Sequence, residues 1–417
     1  MTGRIIIIEP NLINERGHHA FATSRFATLM GDTRPLIAAG KGWNGSQHLG
    51  GGDILRVFKH NRDTVSRSRR YGPTVTTAFS LGAGAIMPIA TFIRGRVRAH
   101  ATETPASTVA SADASKLRSI IGLELGEFLR NFEPKLQDTV FLPSADAELL
   151  IATAEQFEAH RGQARFVVRL MYDDVGCHPS DPTWRSALKR LQESPGAVEH
   201  VDLLAETPAF ARAIREIWPK SVELLPHPTD LPAQQPPAVN GRFILYMAGH
   251  ARSDKGARLL NATAQALAAK LKAHDPDVVL RVQGHPSGRA GKVRIEALPL
   301  HLDPDEYVLS WKQAHAALLL HDPAVYAIRG SGIVCDAISS SKPFVFLSGS
   351  SLSGWNVGCN ALEATPSPPA IAQAIVELLN GYETFAEASA TVASTVARHV
   401  EVGMVTVMGR ETTSEAG

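Results

Sequence analysis

The stretch DPAVYAIRGSGIVCDAI, from Asp322 to Ile338, decides how the rest of the chain is read. It follows the apolar run AALLL (Ala316 to Leu320) and precedes another, FVFL (Phe344 to Leu347), so the predicted order is strand, loop, helix, strand. That order is one half of a doubly wound parallel sheet. Where such a strand ends and a helix begins, unpaired N–H groups and the positive end of the helix dipole favour an anion, and glycines let a phosphate come close. Gly330, Ser331 and Gly332 stand at that junction, with Ile333 and Val334 in the first turn. Arg329 adds a forked cation, Tyr326 a hydroxyl, and Asp336, about a turn into the helix, a carboxylate suited to a ribose diol. The plain alternative is a Gly-rich turn with a surface arginine.

Working backwards, FILYMAGHARSDKGARLL predicts a strand from Phe243 to Met247 that breaks at Gly249 and enters a helix near Lys255. A glycine after a strand, followed by Arg252 and Lys255, is a second candidate for holding an anion. VVLRVQGHPSG repeats strand then glycine from Val278 to Gly284. LDPDEYVLSWKQA predicts a helix with Asp303 as cap, Pro304 at the first position and Glu306 closing a capping box. In an open parallel sheet these loops all leave the carboxyl ends of strands, so three of them converge on one edge.

The first half supplies further strands at Ile5 to Ile8, Pro35 to Ala39, Asp53 to Phe58, Thr139 to Leu142, Arg165 to Leu170, His200 to Leu204 and Val222 to Leu225. Between the last two, ETPAFARAIREIW predicts a helix that Thr207 caps and Pro208 opens, with Phe210, Ile214 and Ile217 on one stripe. PHPTDLPAQQPPAVNG, from Pro226 to Gly241, then carries five prolines as a semi-rigid connector would. The predicted organisation is an N-terminal domain over 1–228, a linker over 229–241, a second domain over 242–368 and C-terminal helices with a tail over 369–417.

A chain of 417 residues exceeds what one core usually covers, which agrees with two domains. Its 42 basic and 41 acidic residues nearly cancel, so bulk charge gives no reason to expect a nucleic-acid partner. Cys177, Cys335 and Cys359 are scattered and form no CxxC pair, which argues against a disulfide framework or structural zinc. Asp173 and Asp174, or Cys177 with His178, are read as loop residues, and no metal is expected. The start of the chain runs into IIII after one basic residue, too short an apolar run for a signal peptide, so a cytoplasmic setting is expected.

VTTAFSLGAGAIMPIATFI, from Val75 to Ile93, has no charged residue and has arginines on both sides. Its glycines, proline and hydroxyl residues weaken it as a membrane span. It is read first as a core segment of the N-terminal domain, and second as a region meeting the anionic inner leaflet peripherally through those arginines.

The tandem GHARSDKG, QGHPSG, DPDEY and DPAVYAIRGSGIVCDA resembles the donor-binding half of GT-B glycosyltransferases, most closely glycosyltransferase family 4 of bacterial polysaccharide assembly. The resemblance is strong over Phe243 to Leu347 and weaker over the N-terminal half. It implies an α/β chain with two Rossmann-like doubly wound domains facing a cleft. It implies a nucleotide-diphosphate sugar as donor, a saccharide or lipid-linked acceptor, transfer of a hexose-type sugar with retention, and no cofactor or metal. Carried over, the donor diphosphate lies against Arg252, Lys255 and the amides of Ser331, Gly332, Ile333 and Val334, with Asp336 at the ribose. Gly249, Gly284, Tyr326 and Arg329 complete the donor set. Gly17, in the loop after the first strand, comes near the transferred phosphate, and His18 and His19 become candidates for orienting the acceptor hydroxyl or the leaving phosphate. The alternative for both histidines is capping and packing of the first helix. The C-terminal helices are expected to cross back onto the first domain.

Three departures accompany the match. The family's pair of glutamates falls here on Ile328 and Asp336, its first-loop arginine falls on His250, and its mid-domain histidine falls among Tyr172, Asp173 and Asp174. A non-catalytic GT-B scaffold and a sugar-nucleotide epimerase are the alternatives. A dinucleotide oxidoreductase ranks last, because the first loop lacks GxGxxG.

Overall fold

The computed structural model describes residues 3–15, 17–61, 119–160, 164–171 and 179–409. Val75 to Ile93, Tyr172, Asp173, Asp174, Cys177 and His178 lie outside the described residues. The chain forms two compact units, one of Met1–Val168 with Pro182–Val201, the other of Arg169–Asp181 with Asp202–Gly417.

Eight strands build the first sheet: β1 (Ile5–Glu9), β2 (Leu36–Gly40), β3 (His48–Leu49), β4 (Gly52–Phe58), β5 (Thr139–Ala145), β6 (Arg165–Leu170), β7 (Val201–Ala205) and β8 (Glu223–Leu224). Their order is β3-β4-β2-β1-β5-β6-β7-β8. β1 is parallel to both β2 and β5, and all five of its residues are buried. A parallel sheet covered on both faces needs such an unbroken apolar run, which is why IIIIE reads as a strand without alternation.

Seven strands build the second: β9 (Arg242–His250), β10 (Asp277–Gln283), β11 (Gly288–Ala290), β12 (Val293–Leu298), β13 (Ala316–Leu319), β14 (Phe344–Leu347) and β15 (Ala361–Ala364), in the order β11-β12-β10-β9-β13-β14-β15. All neighbours are parallel except β11 with β12. Without the short β11 hairpin, the order reverses beside β9, the doubly wound Rossmann arrangement. The helix Leu260–Ala268 and the helix Pro368–Asn380 cover this sheet, bringing Leu260, Leu267, Ile371, Ile375 and Leu378 onto Phe243, Leu245, Leu280, Leu318 and Val345.

Local signals place the helices. Thr207 caps the helix Pro208–Arg215 by accepting from the Phe210 N–H, and Asp303 with Glu306 forms the expected capping box on the helix Pro304–Gln313. The last helix, Thr395–Val407, lies so close to β8 that a Cβ on Gly403 would stand 2.9 Å from the Leu224 carbonyl oxygen. Among the described residues no helix is long and apolar enough to cross a membrane.

Candidate functional site

In a doubly wound sheet, the two strands flanking the order reversal send their loops apart and leave a crevice at their carboxyl ends. In the second sheet those strands are β9 and β13. β9 runs on to His250, past Gly249, whose φ of 74° suits glycine alone. The Gln283 side-chain oxygen, at the end of β10, accepts from the Gly249 N–H and from the Tyr246 hydroxyl. The helix expected near Lys255 starts later. Two 3₁₀ turns, Ser253–Lys255 and Ala257–Leu259, flank Gly256 at φ 80°, and the α-helix begins at Leu260. The break has a packing cause, since a Cβ on Gly256 would stand 2.3 Å from the Leu320 Cβ.

The loops after β9 and β13 are joined by main chain, the Asp322 N–H donating to the Asp254 carbonyl at 2.9 Å. A Cβ built on Gly249 would stand 3.4 Å from the Lys255 Nζ and 2.9 Å from the Ile333 Cδ1. A Cβ on Gly284, after β10, would stand 3.1 Å from the His250 Cδ2. The three loops therefore meet at one edge, bringing Gly249, Lys255, Gly284 and Ile333 together. Arg252 turns onto Asp254, with Nε to Oδ1 at 3.0 Å and Nη2 to Oδ2 at 2.8 Å. Tyr326 donates its hydroxyl to the same carboxylate at 3.4 Å, and the Arg329 guanidinium lies 4.9 Å from the Tyr326 ring centre.

The loop before the helix Gly332–Ser339 is held on both sides. Thr207 donates its hydroxyl to the Ile328 carbonyl at 2.7 Å, Glu206 Oε2 accepts from the Gly330 N–H at 3.2 Å, and the Ser351 hydroxyl donates to the Arg329 carbonyl. Glu206 approaches so closely that a Cβ on Gly330 would stand 2.2 Å from its Cδ. Ser331 is the helix N-cap, yet its side chain caps nothing; its hydroxyl pairs with His321 Nε2 at 3.0 Å. The first turn of this helix therefore has no side-chain cap on its amides, the arrangement that attracts anions.

His321 is a residue that sequence reasoning missed. It stands two residues past the end of β13, is 2% exposed, and meets the Tyr326 ring edge-on at 4.5 Å between centres. Burial, with Lys255, Arg329 and Arg252 nearby, holds its imidazole well below the usual histidine range, so it is neutral. Its position behind an apolar strand, ten residues before an N-cap serine, was the available signal.

Asp336 is enclosed by this unit's own hydroxyls. Thr229 donates to Oδ1 and Tyr307 to Oδ2, each at 2.6 Å. Burial pushes its carboxyl up to about 6, the two hydroxyls offsetting part of the rise and Asp230 adding to it. The expected ribose ligand thus already carries two hydroxyl partners.

In the first unit, Gly17 caps the helix His18–Leu29 at φ 89°, with no atom within 4 Å of a Cβ built there, so its glycine serves the backbone turn. His18 and His19 stack with centres 4.1 Å apart, and His19 Nδ1 lies 3.4 Å from Glu9 Oε2 at the end of β1. Glu9 is fully buried; burial raises its carboxyl, but His19 and hydrogen bonds from His19, Ser144 and Asn11 outweigh that and hold it low. This pair occupies the corresponding reversal point of the first sheet, between β1 and β5.

No family model and no curated protein matches the sequence. The structure is similar, along nearly its whole length, to solved structures of low sequence identity. Sucrose-phosphate synthase from Thermosynechococcus elongatus superposes with a TM-score of 0.57 at 11% identity, covering 97% of this chain and 98% of the other. Trehalose-6-phosphate synthase OtsA gives 0.60 at 10%, covering 98% and 99%. Anabaena Alr3699/HepE in complex with UDP gives 0.56 at 11%, covering 97% of each. The fold is GT-B.

Within this GT-B chain, Ile328 is 1% exposed and its carbonyl is held by Thr207, so the position offers no polar group to a ligand. Among the described residues no group of three or more His, Cys, Asp or Glu side chains is placed to hold a metal. Cys335 is buried in the helix Gly332–Ser339, its thiol pushed well up by burial and then by Asp336 and Glu206, which disfavours the thiolate.

Proposed function

We propose that this protein is a glycosyltransferase that takes a sugar from a nucleotide-diphosphate donor. The observation that carries the reading is the meeting of Lys255, Gly249 and the Ile333 turn at the reversal point of the second sheet, on a fold found in enzymes such as those named above. Of the similar structures, HepE is described in complex with UDP and glucose, and the spinosyn rhamnosyltransferase SpnG with thymidine diphosphate.

The chemistry follows from charge. Breaking the bond between the anomeric carbon and the diphosphate oxygen leaves negative charge on the departing group. Cations and amides fixed before the reaction lower that barrier without reorganising. Lys255 and Arg329 supply the cations, the Gly332 and Ile333 amides the dipoles, and Arg252 a further cation tempered by Asp254. For His18 and His19 the proposed task is to orient the acceptor hydroxyl, His19 being held by Glu9. The finer reading is a hexose-type donor, retention without metal, and a saccharide or lipid-linked acceptor in bacterial surface polysaccharide synthesis, with peripheral contact at the inner leaflet.

A second reading is a non-catalytic scaffold that binds a nucleotide sugar. It is favoured by Ile328, where the resemblance calls for an acid, and by Asp336, whose oxygens are both engaged. A thermal-shift panel of nucleotide sugars, followed by measurement of nucleoside diphosphate released from the stabilising donor, separates the two. Slow release that Lys255→Ala abolishes supports the transferase; stabilisation without release supports the scaffold. No stabilisation by any donor removes both.

A further inference from the structure

The His321 and Ser331 side chains have no role in the chemistry above, and both residues are buried, at 2% and 9% exposure. A serine at an N-cap ordinarily turns its oxygen onto the amides two or three residues on, which is the most favourable use of that side chain. Ser331 does not: its φ and ψ of −145° and 121° are those of a competent cap, yet no side-chain cap bond forms and the hydroxyl pairs with His321 Nε2 at 3.0 Å. The histidine, two residues past the end of β13, itself packs against the Tyr326 ring.

We propose that His321 is a positioning residue that draws the Ser331 hydroxyl away from the Gly332–Ser339 helix and so keeps that helix's first amides open to the donor diphosphate. This rests on the reading of the site as a diphosphate cradle. Released from His321, the hydroxyl rotates about one bond onto the amides of the residues that follow it and competes there with the phosphate. The groups facing His321 agree with such a use. Burial first, and then the charges of Lys255, Arg329 and Arg252, the last paired with Asp254, keep it uncharged, so it contributes a directed hydrogen bond and no fourth cation. The alternative, a histidine that merely fills the core behind β13, makes no demand on the serine hydroxyl.

The two are distinguished by a cycle of variants, with binding of uridine, thymidine and guanosine diphosphates read by calorimetry and folding by thermal midpoint. His321→Phe keeps the ring against Tyr326 and removes the hydrogen bond; it is expected to weaken the tightest-bound nucleotide roughly 5- to 30-fold, the worth of a helix cap. Adding Ser331→Ala to His321→Phe, which removes the competing hydroxyl and keeps the main-chain amide, is expected to restore most of the lost affinity. His321→Gln, which retains a hydrogen-bonding end, is expected to stay near the unaltered value. Should His321→Phe fail to fold, His321→Leu replaces it in the same cycle. A double variant as weak as the single one, or unchanged binding in the single one, overturns the proposal. If the unaltered chain binds none of the three nucleotides, the donor reading itself fails and this inference falls with it.

Discussion

The Lys255 ammonium lies 3.4 Å from the point a Cβ on Gly249 would occupy, with the Ile333 side chain closing the same gap at 2.9 Å. Any side chain at 249 would therefore enter the space between Lys255 and Ile333, and at φ 74° would be strained as well. Gly249→Ala is expected to cost roughly 1–2 kcal/mol from the backbone alone. It should also weaken nucleoside diphosphate binding by displacing Lys255. Chemical denaturation and calorimetry on the same sample report the two effects separately.

Lys255→Ala and Arg329→Ala are each expected to weaken nucleoside diphosphate binding roughly 10- to 100-fold, the worth of a charge-assisted hydrogen bond. Both lie in surface loops, so thermal midpoints should stay within a degree or two of the parent, by the small cost of such changes. Wild-type affinity in both variants would remove these loops from the site.

Asp254 accepts two bonds from Arg252 and one from Tyr326, and so engages the guanidinium within its own loop. Asp254→Asn is expected to tighten diphosphate binding about two- to fivefold, the scale of a partly exposed ion pair. Weaker binding would show instead that Asp254 holds Arg252 in its productive pose.

Asp336 gives a prediction in pH. Its carboxyl is raised from 3.8 to about 6, so the folded chain prefers the protonated form. That contribution is complete below 3.8 and is lost as pH rises through about 6. The loss is at most on the order of 3 kcal/mol. Asp336→Asn, which cannot ionise, should gain stability relative to the parent at pH 8 and lose that gain at pH 4. Denaturation curves at the two values check the sign; equal differences at both would refute it.

Gly330 and Gly332 offer an internal contrast. Alanine at 330 would place its Cβ 2.2 Å from the Glu206 Cδ, whereas at 332 the nearest atoms are in the His227 ring at 3.3 Å. Gly330→Ala is expected to destabilise by roughly 1–3 kcal/mol, as overpacking does. Gly332→Ala should cost less, because a ring edge can shift by a few tenths of an ångström. Thermal midpoints of the two variants decide the order.

Much of this was legible beforehand because it is local. AALLL, FVFL and RFVVRL name their strands since buried parallel strands are apolar throughout, and Thr207 and Asp303 name their helix starts since caps are read within four residues. The converging loops followed from strand order. What was missed depends on partners distant in sequence. β12 and β15, VRIEAL and ALEA, lie toward the sheet edges and are only partly apolar. The late helix start after Lys255 depends on Leu320 packing against Gly256. His321 takes its meaning from Ser331, and Asp336 from Thr229 and Tyr307, none of which is a neighbour in the chain.

Glu206 and Thr207 grip the backbone at Gly330 and Ile328 from a strand end more than a hundred residues earlier. A fragment beginning at β9 would keep every lysine and arginine of the crevice yet lose the two hands that steady its floor. Dissecting this chain at the proline-rich connector would therefore yield a half with the right inventory and a slack receptor, whereas a cut made ahead of residue 202 would carry the grip along.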